Sequence, residues 1–342
     1  MILILSSPED VHARRVAQEI ELLGHSARFL NWREAGKGLR ASLNYIGKSI
    51  EFLIQTEEDK AIRLDDVRSI WTRRPGPLDT PLGVINNEHR RFALQEWRDF
   101  LDGLMLSCGL DSLAINPLSA QRDAVKPYQL TVAQRIGLRV PKTLISSDPR
   151  RVADFVDANE GRIVHKTMTS LRNAFMDTRK WQETDRSALN QLLLAPTIFQ
   201  EFIEGRFDIR ATIVGQEIYA ATIDTAQSRA GIDSRLDLDV PTTPYEVPND
   251  IALQLHALMD TLNLKFATVD LKIDKCGQVY FLELNPQGQF LYIEILTGLP
   301  IAAAMAKLLV RGEETDRKNF TTGHFLTPRS GYERLQESTS SH

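Results

Sequence analysis

The chain has 342 residues, 42% of them hydrophobic and 25% charged, with 19 Gly and 15 Pro; this is the make-up of an ordinary globular protein of two or three packed units, not of a disordered or collagenous one. A formal charge of −4 supplies no overall basic field for nucleic acid or a membrane surface, and the two distant cysteines, Cys108 and Cys276, form neither a disulfide framework nor a zinc pattern. The opening MILILSSPED is too short in apolar length for a signal-peptide core, and no stretch approaches the ~20 apolar residues of a spanning helix, so a soluble, cytoplasmic protein is expected.

Met1–Leu5 reads as a strand buried on both faces. Ser6–Glu9 offers a cap, a proline and an acid at a helix start, and Val11, Val16, Ile20 and Leu23 recur at roughly helical spacing until Gly24. Strands are predicted over Ala27–Trp32 and Val67–Thr72. The second runs into Arg73-Arg74-Pro75-Gly76-Pro77, where two prolines forbid continuation. A long helix is predicted over Glu88–Ser107, with Phe92, Leu94, Trp97, Phe100, Leu101 and Leu104 as its apolar stripe. These elements make residues 1–118 one α/β unit.

A second unit, residues 119–198, opens with a helical stretch over Ser119–Ile136 that bears Lys126 and is softened at Pro127. A turn at Gly137–Pro141 leads to the strand KTLIS, a helix at about 149–159, and a strand over Arg162–Lys166 that ends on a lysine. The strand run APTIFQEFI, Ala195–Ile203, leads into a third unit, residues 199–312. There, Arg210–Val214 and Glu217–Ile223 flank Gly215-Gln216 as a hairpin, Ala267–Ile273 and Gln278–Leu284 flank Asp274–Gly277, and Leu296–Arg311 is a closing helix. Residues 313–342, rich in Ser, Thr and charge, read as a poorly ordered tail.

Gly47-Lys48-Ser49 imitates the end of a phosphate-binding loop, but position 42 is Ser where that motif needs glycine. An exposed turn is the better reading. The informative constellation is Asp270 in FATVDLKI with Glu283 and Asn285 in VYFLELNPQGQ. Carboxylates within apolar β runs are expensive unless paired or bound to a cation. Glu283 and Asn285 share a strand face, and two carboxylates with an amide oxygen are hard ligands suited to Mg²⁺. Magnesium held by so few protein groups also coordinates phosphates, so lysines should converge there, and Lys126 and Lys166 are the candidates. Either alone reads as a solvated charge. His165 alternates away from Lys166 and reads as a packing residue.

In this order the residues resemble the ATP-grasp ligases. The resemblance covers about residues 115–312. It implies an α/β ATP-grasp fold: an N-terminal pre-ATP-grasp domain, a central α/β subdomain and a C-terminal α+β subdomain, with ATP and Mg²⁺ as cofactors. By that likeness Lys126 and Lys166 contact the nucleotide phosphates, and Gln200, Glu201, Phe202 and Ile203 form the adenine-binding linker. Asp208 is the ribose-side acid, with Arg210 nearby, and Asp270, Glu283 and Asn285 hold magnesium. One departure is that TMTSLRNAF follows Lys166 where many members carry a glycine-rich flap.

Further stretches narrow the likeness. ILILSSPEDVHARRVAQEIELLGH, the WTRRP motif at Trp71–Pro75, Ile115-Asn116-Pro117, QLTVAQRIGLRVPKTLISSDP, Asp233-Ser234-Arg235 and ELNPQGQFLYIEILTGLPI resemble the macrocyclising ligases of graspetide (microviridin-type) peptides. That family joins Asp or Glu side chains of a ribosomal precursor peptide to Thr, Ser or Lys side chains, as ω-esters or ω-amides. The resemblance implies a leader-plus-core peptide partner, a homodimer, and neither nucleic acid nor membrane. It points to the stretch around Arg210–Ile223 and the helix after Pro248 as the leader-docking surface. Arg210 and Arg235 are the candidate catalytic residues, since guanidinium binds a carboxylate or developing oxyanion in bidentate fashion; a surface loop charge is an equal reading of Arg235. Arg73-Arg74 reads as a solvated strand end or as a structural or substrate-side contact. Two alternatives remain open: a ligase that adds a free amino acid to a carboxylate, and a nucleotide-binding regulator without turnover.

Overall fold

The first unit of the computed structural model runs β1 (Ile2–Ser6), α1 (Val11–Leu22), β2 (Ala27–Leu30), β3 (Arg40–Ile46), β4 (Ser49–Gln55), β5 (Ile62–Arg63), β6 (Ser69–Arg74), α2 (Asn87–Leu110) and β7 (Leu113–Ile115). Residues 1–47, 49–56, 61–79, 83–169, 178–227 and 240–314 are described. They divide into Met1–Leu118 with the chain from Ala306, and Ser119–Met305. The parallel sheet β2-β1-β6-β7 encloses β1 between two neighbours, and all five of its residues are buried, as its unbroken apolar run requires.

Several local expectations shift. The start of α1 lies beyond Ser6–Glu9: Ser7-Pro8-Glu9 makes a turn, and Asp10 is the cap, its carboxylate accepting from the His12 and Ala13 N–H groups at 2.9 Å each. Strand β6 continues through Arg73, which is fully buried with Nε 3.7 Å from Asp10 Oδ2. This arginine is therefore a structural contact and not a solvated strand end. In α2 the buried face is Leu101, Leu104, Met105 and Cys108, while Phe92 of the expected stripe is exposed. The sheet β3-β4-β5 was not expected; Gly47, from the imitation phosphate loop, takes φ +60° at its first turn.

The second unit comprises α3 (Leu118–Asp123), α4 (Lys126–Arg135), β8 (Thr143–Ser146), α5 (Pro149–Ala158), β9 (Ile163–Lys166), β10 (Arg179–Lys180), β11 (Thr197–Glu201), β12 (Phe207–Val214), β13 (Glu217–Asp224), β14 (Thr242–Tyr245), α6 (Asn249–Thr261), β15 (Phe266–Ile273), β16 (Val279–Asn285), α7 (Leu291–Thr297) and α8 (Ile301–Glu314). The single helix expected over Ser119–Ile136 is two, because Pro127 is tolerated only in a first turn and takes the second position of α4. The closing helix is likewise divided, at Gly298 (φ +72°) and Pro300. The unit boundary at Met305/Ala306 falls inside α8. The polar tail expected over 313–342 lies outside the described residues from 315 onward.

Two antiparallel sheets build this unit, β10-β9-β11-β8 and β14-β13-β12-β15-β16. A division at 198/199 cuts β11, whose partners are β8 and β9. Ile209, Ala211, Ile213, Val269, Leu271, Phe281 and Leu284 turn one face of the second sheet toward Val132, Ala133, Leu255 and Leu258 of α4 and α6. Each fully buried aliphatic side chain is worth about 1.5–3 kcal/mol relative to exposure. The alternate residues, Asp208, Arg210, Asp270 and Lys272, stand on the other face.

Candidate active site

That other face and the end of β9 border a cleft of about 890 Å³, a volume that includes its open mouth. Its walls combine apolar groups such as Val164, Ile203, Ile223 and Leu282 with the cations Lys166, Arg210 and Lys272 and the acids Asp208, Asp270 and Glu283. Apolar walls with a few convergent charged groups are the lining expected of a small-molecule site.

Register places the charged groups. Arg210 on β12 stands opposite Asp270 on β15, and Asp270 stands opposite Glu283 on β16. The pairing slips by one residue between Asp270 and Leu271, so Leu282 is an extra residue in β16. This bulge turns Leu282 and Glu283 together into the cleft while Phe281 and Leu284 both stay in the core. Arg210, 5% exposed, donates through Nη1 to Asp270 Oδ1 and through Nη2 to Gln289 O at 3.1 Å. Lys126 Nζ lies 3.0 Å from Glu283 Oε2, and Lys272 Nζ lies 2.7 Å from Asp208 Oδ1. Each carboxylate on this face thus has a cation beside it, as partly buried charges require.

Nine expected site residues, Lys166, Gln200, Glu201, Phe202, Ile203, Asp208, Arg210, Asp270 and Glu283, line the one cleft. Lys126 joins them through Glu283. Asn285 is exposed at the end of β16, two residues beyond Glu283, and its Oδ1 accepts from the Gln287 N–H at 2.9 Å. Arg235, with Asp233 and Ser234, lies outside the described residues, as does most of the segment after Lys166.

The linker is held from both sides. The Glu201 and Phe202 N–H groups donate to Lys142 O at 2.8 Å and Arg162 O at 3.0 Å, and buried Gln200 donates through Nε2 to Thr143 Oγ1 at 2.9 Å. Sequence reasoning missed Lys272 and Tyr292, which also line the cleft. Lys272 had a signal, because it stands two residues from Asp270 and so on the same face.

The donor set tests the expected metal. Among the described residues no group of three or more His, Cys, Asp and Glu side chains is placed to hold an ion. Asp270 and Glu283 are instead a carboxylate pair on neighbouring strands, with the Asn285 amide on the same side of β16. Oxygen-only donors of this number fit Mg²⁺ that also takes oxygens from a phosphate ligand.

His165 points away from the cleft, stacked against Phe199 with ring centroids 6.3 Å apart and edge-on to Trp181. Burial pushes its imidazole below the usual value of 6.5, Asp185 pulls it back up, and Arg179 adds to the lowering. Because the unfolded chain binds this proton more readily, the stability the neutral ring contributes is complete above pH 6.5 and is lost as pH falls through the folded value. Wild type should therefore lose thermal stability on acidification below 6.5 more steeply than His165→Phe; parallel melting profiles for the two would contradict this.

Residues 121–309 match the model of the RimK-like ATP-grasp domain. The chain belongs to the RimK-like ATP-grasp family. It is an ATP-dependent ligase, and the cleft between its two antiparallel sheets is the candidate nucleotide site. No curated protein matches the sequence, but solved structures do. A RiPP-associated ATP-grasp ligase of Chryseobacterium gregarium, in complex with ADP and a leader and core peptide, is 26% identical, over 92% of this chain and 98% of that one, with a TM-score of 0.82. The macrocyclase MdnC of Microcystis aeruginosa MRC, bound with precursor peptide MdnA, is 27% identical, over 91% and 99% of the two chains, with a TM-score of 0.78. The ligase PsnB, complexed with minimal precursor, Mg and ADP, shares the fold at 20% identity over 91% and 97%, with a TM-score of 0.75. Among the described residues no helix is long and apolar enough to cross a membrane.

Proposed function

We propose that this ligase closes rings in a ribosomal precursor peptide, joining Asp or Glu side chains to Thr, Ser or Lys side chains as ω-esters or ω-amides, with ATP and Mg²⁺ as cofactors. The observation that carries the reading is the likeness to two peptide-bound ligases over more than nine-tenths of both chains, which takes in the first unit as well as the ATP-grasp region. A carboxylate is a poor acyl donor because its leaving group would be oxide. Transfer of the ATP γ-phosphoryl group to that oxygen, with release of ADP, makes the leaving group phosphate. The acceptor hydroxyl or amine then bonds to the acyl carbon, gives up its proton, and phosphate departs.

In this reading Lys126 and Lys166 hold the phosphates, Gln200–Ile203 the adenine, and Asp208 the ribose. Asp270, Glu283 and Asn285 hold Mg²⁺, whose charge offsets that of the transferring phosphoryl group. Arg210 steadies the acyl oxygen from the cleft floor, and Arg235 is assigned the same task. The peptide leader docks on the β12–β13 hairpin and α6, the enzyme is a homodimer, and it works in the cytoplasm.

Lys166→Ala tests the nucleotide assignment. Its partners are phosphates, so calorimetry should show ATP affinity falling by about 10-fold or more, as expected for loss of a charge-assisted contact, while precursor affinity stays unchanged. Equal loss for both ligands, or loss for the peptide alone, would contradict the assignment.

A further inference from the structure

Strand β16 is the edge of its sheet, and an edge strand needs partners for its outward backbone groups. At Leu284, between Glu283 and Asn285, the partner is a side chain. Gln129 of α4, 2% exposed, accepts from the Leu284 N–H through Oε1 at 2.9 Å and donates through Nε2 to Leu284 O at 2.8 Å. The same Nε2 donates to Ala124 O at 2.6 Å, in the break between α3 and α4. One carboxamide thus does the work of a neighbouring strand at a single residue. Its orientation is fixed, because exchanging its oxygen and nitrogen would set donor against donor at the Leu284 N–H.

The surrounding contacts make this hold specific to the acidic end of β16. Lys126 stands three residues earlier on α4, hence on the same helix face, with its Nζ 3.0 Å from Glu283 Oε2. Beyond the strand, Gln287 Nε2 donates to Gln121 Oε1 of α3 at 2.6 Å. Farther back, the Phe281 N–H donates to Arg139 O at 2.8 Å. Gln129 sits at the centre of this row and is the member that binds both the N–H and the C=O of one β16 residue.

We propose that Gln129 is a positioning residue: its carboxamide holds β16 at Leu284 so that Glu283 and Asn285 are presented together on the cleft face. The proposal rests on the reading of those two residues as magnesium ligands. Gln129 touches neither nucleotide nor peptide in that reading and acts only through the strand.

The test uses the full-length protein and two readouts besides activity: backbone amide exchange at Leu284 without nucleotide, and Mn²⁺ binding to the ADP complex followed by electron paramagnetic resonance. In Gln129→Leu, Leu284 exchange should accelerate by about 10-fold or more while strands elsewhere keep their protection. Mn²⁺ affinity should fall by about 10-fold or more, the scale of an outer-sphere partner of a metal ligand, with metal-free ADP affinity unchanged. Unchanged exchange, or faster exchange with unaltered Mn²⁺ affinity, overturns the proposal. If Gln129→Leu does not fold, Gln129→Asn decides: it keeps the carboxamide but is one methylene shorter and cannot hold both Leu284 groups, so both readouts should lie between wild type and complete loss. Wild-type behaviour in both overturns the proposal. Glu283→Gln separates the two readings, because wild-type Mn²⁺ affinity in that variant refutes the metal site itself while the Leu284 exchange in Gln129→Leu still reports the hold on the strand.

Discussion

Glu283→Gln and Asp270→Asn should each lower ring formation by about 10²–10³-fold or more, the cost of removing one charge-stabilising group from a reacting centre. The two variants differ in what else they disturb. Glu283 and its partner Lys126 are partly open to solvent, so Glu283→Gln leaves a lysine that water accommodates, and the fold should be retained. Asp270 faces Arg210, whose side chain is 6% exposed. Neutralising one member of such a pair strands the other charge at a cost of about 3–5 kcal/mol when burial is complete. The amide oxygen of Asn still accepts from Arg210 and the pair is not fully closed, so Asp270→Asn should lose less than that. Denaturant unfolding of both variants beside a product assay checks this: Glu283→Gln should be inactive and nearly as stable as wild type, and Asp270→Asn inactive and measurably weaker. Ring formation near the wild-type rate by either variant would contradict the assignment of these carboxylates.

The second large effect is expected at Gly205, just after the linker. A Cβ there would lie 1.7 Å from Ile273 O and 2.8 Å from Ile273 C. Both are backbone atoms at the end of β15, so no side-chain rotation relieves the clash. The linker is tied down around this point by the Lys275 N–H donating to Glu204 O at 3.1 Å and the Thr225 N–H donating to Arg206 O at 2.9 Å. Gly205→Ala should therefore destabilise the protein by about 3 kcal/mol, the upper end for an overpacked site, and weaken ATP binding by displacing Gln200–Ile203. Gly277→Ala is the control: at φ +80° with nothing within 4 Å, it carries only the left-handed backbone cost of about 1–2 kcal/mol and should spare ATP affinity. Equal stability of Gly205→Ala and wild type would show that the chain does not pass so close at this point.

What the sequence made legible were features written locally. The apolar run of β1, the hairpins on either side of Gly215 and Gly277, and the carboxylates in otherwise apolar strands all follow from spacing and burial cost. Even the bulge in β16 left a trace, since Phe281 and Leu284 are three apart yet both buried, which strict alternation forbids. The features that escaped depend on partners distant in the chain. RASLNYI of β3 does alternate polar and apolar residues, and Ala41 and Leu43 pack on the first unit's core, but none of its residues is fully buried and Tyr45 and Ile46 are exposed, so the stripe is weak. β11 reads as a strand from its residues, but only its pairing with β8 and β9 assigns it to their sheet. Arg73 has a charge that argues for solvent, and the Asp10 carboxylate that stands beside it in the fold is 63 residues away in the chain. Gln129 is polar on an otherwise ordinary helix, and its value appears only when the edge of β16 is laid against it.

The most direct measurement is the mass of a Thr-, Asp- and Glu-containing precursor peptide after incubation with the enzyme, ATP and Mg²⁺. Ring closure between two side chains of one peptide removes one water per ring and releases one ADP, so the product should be lighter than the precursor by whole waters, in step with ADP formed. An unchanged peptide mass with continued ADP release, or a peptide made heavier by an added amino acid, would contradict it.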